Sequence, residues 1–304
     1  MRSSALFLFV ALCACGNLSN EDVAFLEAIP QKEALQVQVP NSALTAQPSC
    51  ALGPAAFFQS AKQTGDDINQ GVSGLLELVD TIRAQPPTAR DTDSRTWGPF
   101  PDQSHPGFQT QVQMVRQVDA TGTPWRWDYS ISEAPPGGAF LAVVEGTFFG
   151  AQAKSGTGRI TLHFERSVQL GIAKATDPKF PMRIFYDLGD DPRTISLDLT
   201  EGEGFGVPSF DYSYEGFLDG HGQFAFAVAG GNGCTTEVTT QFTAAGAGKD
   251  SFHVRCGPFV SAEAHQCWDA NACLSFIDDP LAATAACNGV KPCLLGNAAS
   301  CPGL

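Results

Sequence analysis

Ten cysteines are the residues of this sequence whose chemistry depends most on where the chain resides. A thiol can ligate a metal, attack a substrate, carry a lipid or form a disulfide, and an oxidising compartment favours the disulfide. Cys13 and Cys15 lie at the end of an apolar run near the amino terminus. The other eight are Cys50, Cys234, Cys256, Cys267, Cys273, Cys287, Cys293 and Cys301.

The first sixteen residues have the layout of an export signal. Arg2 supplies a positive charge, and residues 5–14 are an apolar run. The run is too short for a spanning helix, which needs about 20 residues. Its end, LCACG at residues 12–16, resembles the lipobox of bacterial lipoproteins. The resemblance implies that residues 1–14 are a signal peptide and that Cys15 is diacylglycerylated and then acylated on its amine.

The same resemblance implies a place of action. Gly16 follows the lipidated cysteine where many inner-membrane lipoproteins have aspartate, which favours the outer membrane, on its periplasmic or surface face. A membrane, reached through the lipid, is then the expected partner, and Cys13 leaves with the signal. The alternative is an ordinary amino-terminal helix with two buried cysteines.

Export predicts that the eight remaining cysteines form disulfides. One pair follows from geometry, because Cys234 and Cys256 flank a predicted hairpin whose midpoint is residue 245. Antiparallel residues equidistant from a turn face each other, so these two should bridge. Spacing does not determine the partners of the other six.

Two residue sets offer alternatives based on metal binding, although we expect no metal and no cofactor. The first has thiols and imidazoles that suit zinc, but disulfides would consume the thiols: His253, Cys256, His265 and Cys267. The second has carboxylates that suit calcium, but solvated turn residues are commoner: Asp187, Asp190, Asp191, Glu201 and Glu203.

Charge excludes one class of partner. The formal net charge is −14, with 18 basic and 32 acidic residues. Such a chain repels phosphate backbones, so we expect no nucleic acid partner. The 31 glycines and 20 prolines favour many turns and therefore a β-rich fold.

The periodicity predicts a mainly β fold. Residues 53–85 carry an apolar stripe at steps of three and four, which predicts one long helix, and Ser19 with Asp22 predicts the capped start of a short one. Alternation then predicts an antiparallel sheet of about ten strands, including residues 159–170. The expected divisions are a signal at 1–14, a lipidated linker at 15–52, the helix at 53–85, the sheet at 95–256 and a cysteine-rich tail at 257–304.

The width of this sheet leads to a functional hypothesis. Ten strands span roughly 48 Å, whereas a helix is about 10–12 Å wide, so one helix cannot cover the apolar face. We therefore expect a barrel-like or strongly curved sheet, loosely similar to that of periplasmic lipoprotein carriers. Its concave face could line a pocket for an apolar or amphiphilic ligand through Trp125, Trp127, Phe164, Phe224 and Phe226.

The first functional hypothesis is thus a non-enzymatic, lipid-anchored envelope protein that binds such a ligand. The alternative is a structural or interaction subunit of an envelope complex, which docks through the helical stripe or the loops. A hydrolase is the third hypothesis, because catalytic residues can be distant in sequence. Nothing in the pattern predicts an oligomeric state.

Overall fold

A computed structural model describes most of the chain. The described residues are 18–30, 34–39, 50–83, 85–102, 104–150, 155–174, 180–199, 210–229, 233–257, 260–280 and 285–303. They form one antiparallel sheet of fifteen strands and three α-helices. The prediction of a mainly β, antiparallel fold is confirmed.

The helices are α1 (Asn20–Glu27), α2 (Ala56–Arg83) and α3 (Phe164–Leu170). The strands follow one another in the sheet in chain order. They are β1 (Ala89–Arg90), β2 (Ser94–Pro101), β3 (Gln109–Val118), β4 (Pro124–Ala134), β5 (Leu141–Phe149), β6 (Thr157–His163), β7 (Pro181–Asp187), β8 (Arg193–Leu199), β9 (Phe210–Gly216), β10 (Gly222–Ala229), β11 (Cys234–Phe242), β12 (Gly248–Cys256), β13 (Val260–Trp268), β14 (Leu274–Asp279) and β15 (Cys293–Gly296).

The sheet is larger than predicted and open. Within the described residues, β1 pairs with β2, β15 pairs with β14, and the two edges do not meet. The expected tail at 257–304 instead continues the sheet as β13, β14 and β15. Periodicity failed there because β13 alternates small and polar residues, which gives little apolar signal.

Residues 159–170 are not one strand, contrary to expectation. Strand β6 ends at His163, and the next seven residues form α3. Gly171 ends this helix with a φ of 78°, in the left-handed region that glycine adopts without strain. Phe164 therefore lies on a helix that connects β6 and β7, and it packs against the core from there.

Helix α1 begins with the predicted capping box. The Ser19 hydroxyl accepts from the Asp22 amide at 3.1 Å, and Asp22 accepts from the Ser19 amide at 2.9 Å. The helix packs on the apolar face of the sheet, which we call the inner face. There Phe25 meets Trp127 edge-on, with ring centroids 5.1 Å apart.

Helix α2 spans the inner face from one side of the sheet to the other. Near its start, Phe58 stacks on Trp268 of β13 at 4.5 Å. Just beyond its end, the Gln85 carbonyl accepts from the Trp97 indole of β2 at 3.1 Å. At 1.5 Å per residue, its 28 residues extend about 42 Å. The two ends of α2 therefore lie beside strands that are far apart in the order of the sheet.

The segment at residues 34–39 forms no strand in the described structure. Leu35 and Val37 are buried. Asn69 of α2 binds both backbone groups of Val37, accepting from its amide at 2.8 Å and donating to its carbonyl at 2.9 Å. The Asn69 side chain therefore makes the two backbone hydrogen bonds that a neighbouring strand would make with Val37.

Aromatic rings of the inner face lie over glycines on the adjacent strand. Tyr129 is paired with Gly146, and Trp268 with Gly248. A Cβ added at either glycine would lie 2.0 Å from the tyrosine ring or 2.3 Å from the indole. Only glycine allows these rings to lie flat on the backbone.

Four disulfides connect all eight cysteines beyond the apolar run. The bridges are Cys50–Cys273, Cys234–Cys256, Cys267–Cys301 and Cys287–Cys293. Cys234 and Cys256 are directly opposite in the β11–β12 register, as the hairpin geometry requires. Among the described residues, no helix is both long and apolar enough to cross a membrane.

Candidate functional site

The residues predicted to bind an apolar ligand do not form one open surface. Trp127 and Phe224 are 1 % and 0 % exposed, respectively. Phe25 covers Trp127, while Phe224 packs between Tyr212 and Phe242.

The other three ligand candidates differ in position. Phe164 and Phe226 are partly buried against the same core. Trp125, at the start of β4, is 45 % exposed and stacks on Phe149 with centroids 6.2 Å apart. A helix residue thus covers Trp127, and neighbouring rings of the sheet cover Phe224, where a ligand was expected.

The opposite face, which we call the outer face, carries an ordered row of polar side chains. Glu215 of β9, Gln223 of β10 and Gln241 of β11 are direct cross-strand neighbours. Gln223 Nε2 donates to Glu215 Oε2 at 2.7 Å, and Gln241 Nε2 donates to Gln223 Oε1 at 2.9 Å. Lys249 of β12 continues the row beside Gln241.

The Glu215 carboxylate at one end of the row determines how the amides of Gln223 and Gln241 are oriented. Glu215 can only accept when ionised, so Gln223 must turn its amino group towards it. The carbonyl oxygen of Gln223 then faces Gln241, which in turn must donate. Gln241 Oε1 is left as an acceptor with no hydrogen bond within the described structure.

A groove of about 530 Å³ lies over this row. An aromatic pair forms one wall, where the Phe217 and His221 rings stack with centroids 3.9 Å apart. The lining residues are Phe217, Asp219, His221, Gly222, Gln223, Gln241, Thr243, Ala244 and Gly303.

The carboxyl-terminal residues separate this groove from a second one. The Cys267–Cys301 bridge fixes Cys301 and its neighbours on the outer face. Gly303 lines the first groove, whereas Cys301 and Pro302 line a neighbouring groove of about 430 Å³. Gln241 lines both grooves, which therefore lie side by side.

Asp219 makes the groove rim anionic. The His221 amide donates to the carboxylate at 3.1 Å, and the imidazole also contacts it. These contacts lower the pKa of Asp219. The carboxylate is therefore ionised at neutral pH, and the groove opposes anionic ligands.

Comparison with protein-family models, curated proteins and solved structures finds no match. The function must therefore be inferred from the chemistry of the chain itself.

A buried polar cluster lies on the inner face behind the grooves. Asp250 is 2 % exposed and accepts from the Thr240 hydroxyl at 2.5 Å. Gln266 Nε2 donates to Asp250 at 3.4 Å, and Gln266 Oε1 accepts from the Phe57 amide of α2 at 3.3 Å. Burial raises the pKa of Asp250 to about 8. The carboxyl is therefore neutral at pH 7, and Gln266 connects it to the start of α2.

The zinc set predicted as an alternative is not available. Cys256 and Cys267 belong to two different disulfides, with Cys234 and Cys301. His253 instead contacts the Ser261 hydroxyl at 2.7 Å, and His265 lies 3.5 Å from Glu263.

Two members of the calcium set serve as acceptors for backbone amides. Asp187 accepts from the Gly189 amide at 3.0 Å, and Asp191 from the Leu218 amide at 3.1 Å. Asp190 lines a surface depression with Asp191. Glu201 and Glu203, like the lipidation candidate Cys15, lie outside the described residues.

Proposed function

We propose that this protein is a lipid-anchored, non-enzymatic protein of the cell envelope that binds a short neutral glycan in the outer-face groove. The groove over the Glu215–Gln223–Gln241 row is the observation that carries the binding role. The lipobox resemblance supports the anchor, and the four disulfides agree with an oxidising compartment.

The groove chemistry suits hydroxyl groups. Planar amides donate and accept in one plane, so adjacent glutamines can contact neighbouring hydroxyls of a sugar ring. Gln241 Oε1 offers an acceptor, and the Phe217–His221 wall offers an apolar surface beside it. The ionised Asp219 and the net charge of −14 disfavour anionic ligands, and the uncharged amides of Gln223 and Gln241 match the hydroxyl groups of a neutral glycan.

Titration calorimetry with neutral oligosaccharides of two to four sugar units tests the binding role. We expect Gln241→Ala to weaken the best ligand roughly five- to tenfold, because a hydrogen bond contributes about 1 kcal/mol. Gln113→Ala is the matched control, since it removes an exposed glutamine from distant β3. Equal affinity of both variants, or no heat with any sugar, would show that the groove is not a glycan site.

The anchor needs a separate experiment. Cys15→Ala should move the protein from the detergent phase to the aqueous phase in a detergent partition assay. A variant that still partitions with detergent would show that Cys15 carries no lipid, whatever the result for the groove.

A second candidate function is docking on a protein partner, which one exposed patch favours. Trp125 and Phe149 stack where β4 begins and β5 ends, and the Arg126 guanidinium lies 5.8 Å from the Phe149 ring. Tryptophan and arginine are enriched at interface hot spots. Replacing Trp125 and Phe149 with alanine should then abolish a larger complex in native gels of solubilised envelopes. An unchanged complex would exclude this patch as the docking surface.

A further inference from the structure

Three potential metal ligands lie close together near strands β2 to β4, whereas the groove lies on strands β9 to β11. Asp102 and His105 lie in the loop between β2 and β3, and Glu133 lies on β4. One ligand atom from each lies within 4.8 Å of the others. His105 Nδ1 is 2.6 Å from Asp102 Oδ2, while Asp102 Oδ1 accepts from the Ser104 amide at 2.7 Å.

Glu133 occupies an unfavourable position without a ligand. It is paired with the buried Thr110 of β3, so its side chain extends from the inner face. Its Oε2 atom is buried and has no hydrogen-bond partner within the described residues. Buried acceptors in native proteins are almost always paired, so this atom indicates a missing partner. The nearby Asp102 carboxylate adds to the negative charge, so a cation would stabilise both groups.

We propose that Asp102, His105 and Glu133 bind a divalent transition metal, with Zn²⁺ as the expected ion. Imidazole nitrogen and carboxylate oxygen are both zinc ligands, and three protein ligands leave a fourth position for water. Calcium and magnesium prefer sites made of oxygen alone, so His105 argues against them. A cation would also give Glu133 Oε2 the partner that the protein does not supply.

The spacing is close to what zinc requires. Zinc bonds to nitrogen and oxygen are about 2.0–2.2 Å long, so two ligands of one ion are at most about 4.4 Å apart. The three ligand atoms lie within 4.8 Å of one another, so small side-chain movements bring them to a common ion, and the hydrogen bond between His105 and Asp102 gives way to two metal bonds. His105 can make such a movement, because its side chain is 39 % exposed. This site does not depend on the glycan proposal.

Equilibrium dialysis of the untagged, disulfide-intact protein against Zn²⁺, read by elemental analysis, tests the proposal. We expect one zinc per chain in the wild type. His105→Ala and Glu133→Gln should each weaken zinc binding by more than tenfold, because even residues that only orient a ligand typically contribute 10–100-fold. His253→Ala is the matched control, since His253 also lies near a carboxylate, Glu237, at 3.6 Å.

A stability measurement separates lost binding from lost folding. In a chelator, Glu133→Gln should be at least as stable as the wild type, because it removes a buried carboxylate that has no donor. Wild-type zinc content in both His105→Ala and Glu133→Gln would overturn the proposal. So would a wild type that binds no zinc at micromolar concentration, or a loss caused equally by His253→Ala.

Discussion

Asp250→Asn should remove the contribution of one buried carboxyl to the pH dependence of the free energy of unfolding. Asp250 is buried between Thr240 and Gln266, neither of which carries a charge, and its pKa in the folded protein is about 8. In the unfolded chain an aspartate has a pKa of about 3.9. Between these values, the folded state holds a proton that the unfolded state has released.

The sign and size follow from linkage. Stability falls with rising pH wherever the folded state binds more protons, by about 1.4 kcal/mol per pH unit for one proton. Asp250 should therefore lower the wild-type free energy of unfolding by about 2.6 kcal/mol between pH 5 and pH 7. The slope stays close to this value provided that the pKa lies about one unit or more above 7. The introduced amide is nearly isosteric and can donate to Thr240 while it accepts from Gln266.

Urea unfolding of the disulfide-intact protein at pH 5, 6 and 7 measures this difference. Asp250→Asn should gain about 1.4 kcal/mol over the wild type for each pH unit. Asp219→Asn is the control, because the lowered pKa of Asp219 keeps that carboxyl ionised in both states over this range. A constant difference between the wild type and Asp250→Asn would mean that the folded protein holds Asp250 ionised, and the reasoning would be refuted.

Two further substitutions test the packing. Burial alone would raise the pKa of Asp22, but hydrogen bonds from Ser19, Arg95 and Arg90 lower it to about 2. Asp22→Asn should therefore cost about 3–5 kcal/mol at pH 7 in urea unfolding, since it leaves Arg95 buried without its counter-ion. The loss of unfolding free energy should become smaller as the pH falls from 4 towards 2, where Asp22 becomes protonated in the wild type. An equal loss at pH 4 and pH 2 would contradict the ion-pair explanation. Gly146→Ala should cost about 1–3 kcal/mol and lower the melting temperature, because its Cβ would lie 2.0 Å from a buried tyrosine ring. Gly303→Ala, where a Cβ meets nothing within 4 Å, should have no such effect, and equal melting temperatures would refute the contact.

The pairing rule for β-hairpins shows how much of the outer-face groove could be predicted from the sequence. The rule that pairs Cys234 with Cys256 also pairs Gln223 with Gln241, whose midpoint is residue 232. Alternation could place these glutamines on the polar face as well. Their hydrogen bonds could not be foreseen, because the direction of each amide is set by the Glu215 carboxylate at the end of the row.

Other features lay beyond sequence reasoning for physical reasons. The apolar stripe of α2 indicates which side is buried but not the angle at which the helix crosses the strands. Cys50 and Cys273 are 223 residues apart, so no local geometry relates them. Asp102, His105 and Glu133 come together only through the β3–β4 register and the path of one loop.

The Cys50–Cys273 bridge determines the path of mechanical force through the protein. If the chain is anchored through Cys15, as we propose, a pull from the membrane first reaches α1 and lifts Phe25 from Trp127. Tension then reaches Cys50, where the disulfide divides it between the segment before α2 and the connection between β13 and β14. The roughly 35 residues between the lipid and this bridge can extend to about 120 Å. The segment between Cys15 and Cys50 can therefore extend and expose Trp127 on the inner face while the strands remain paired.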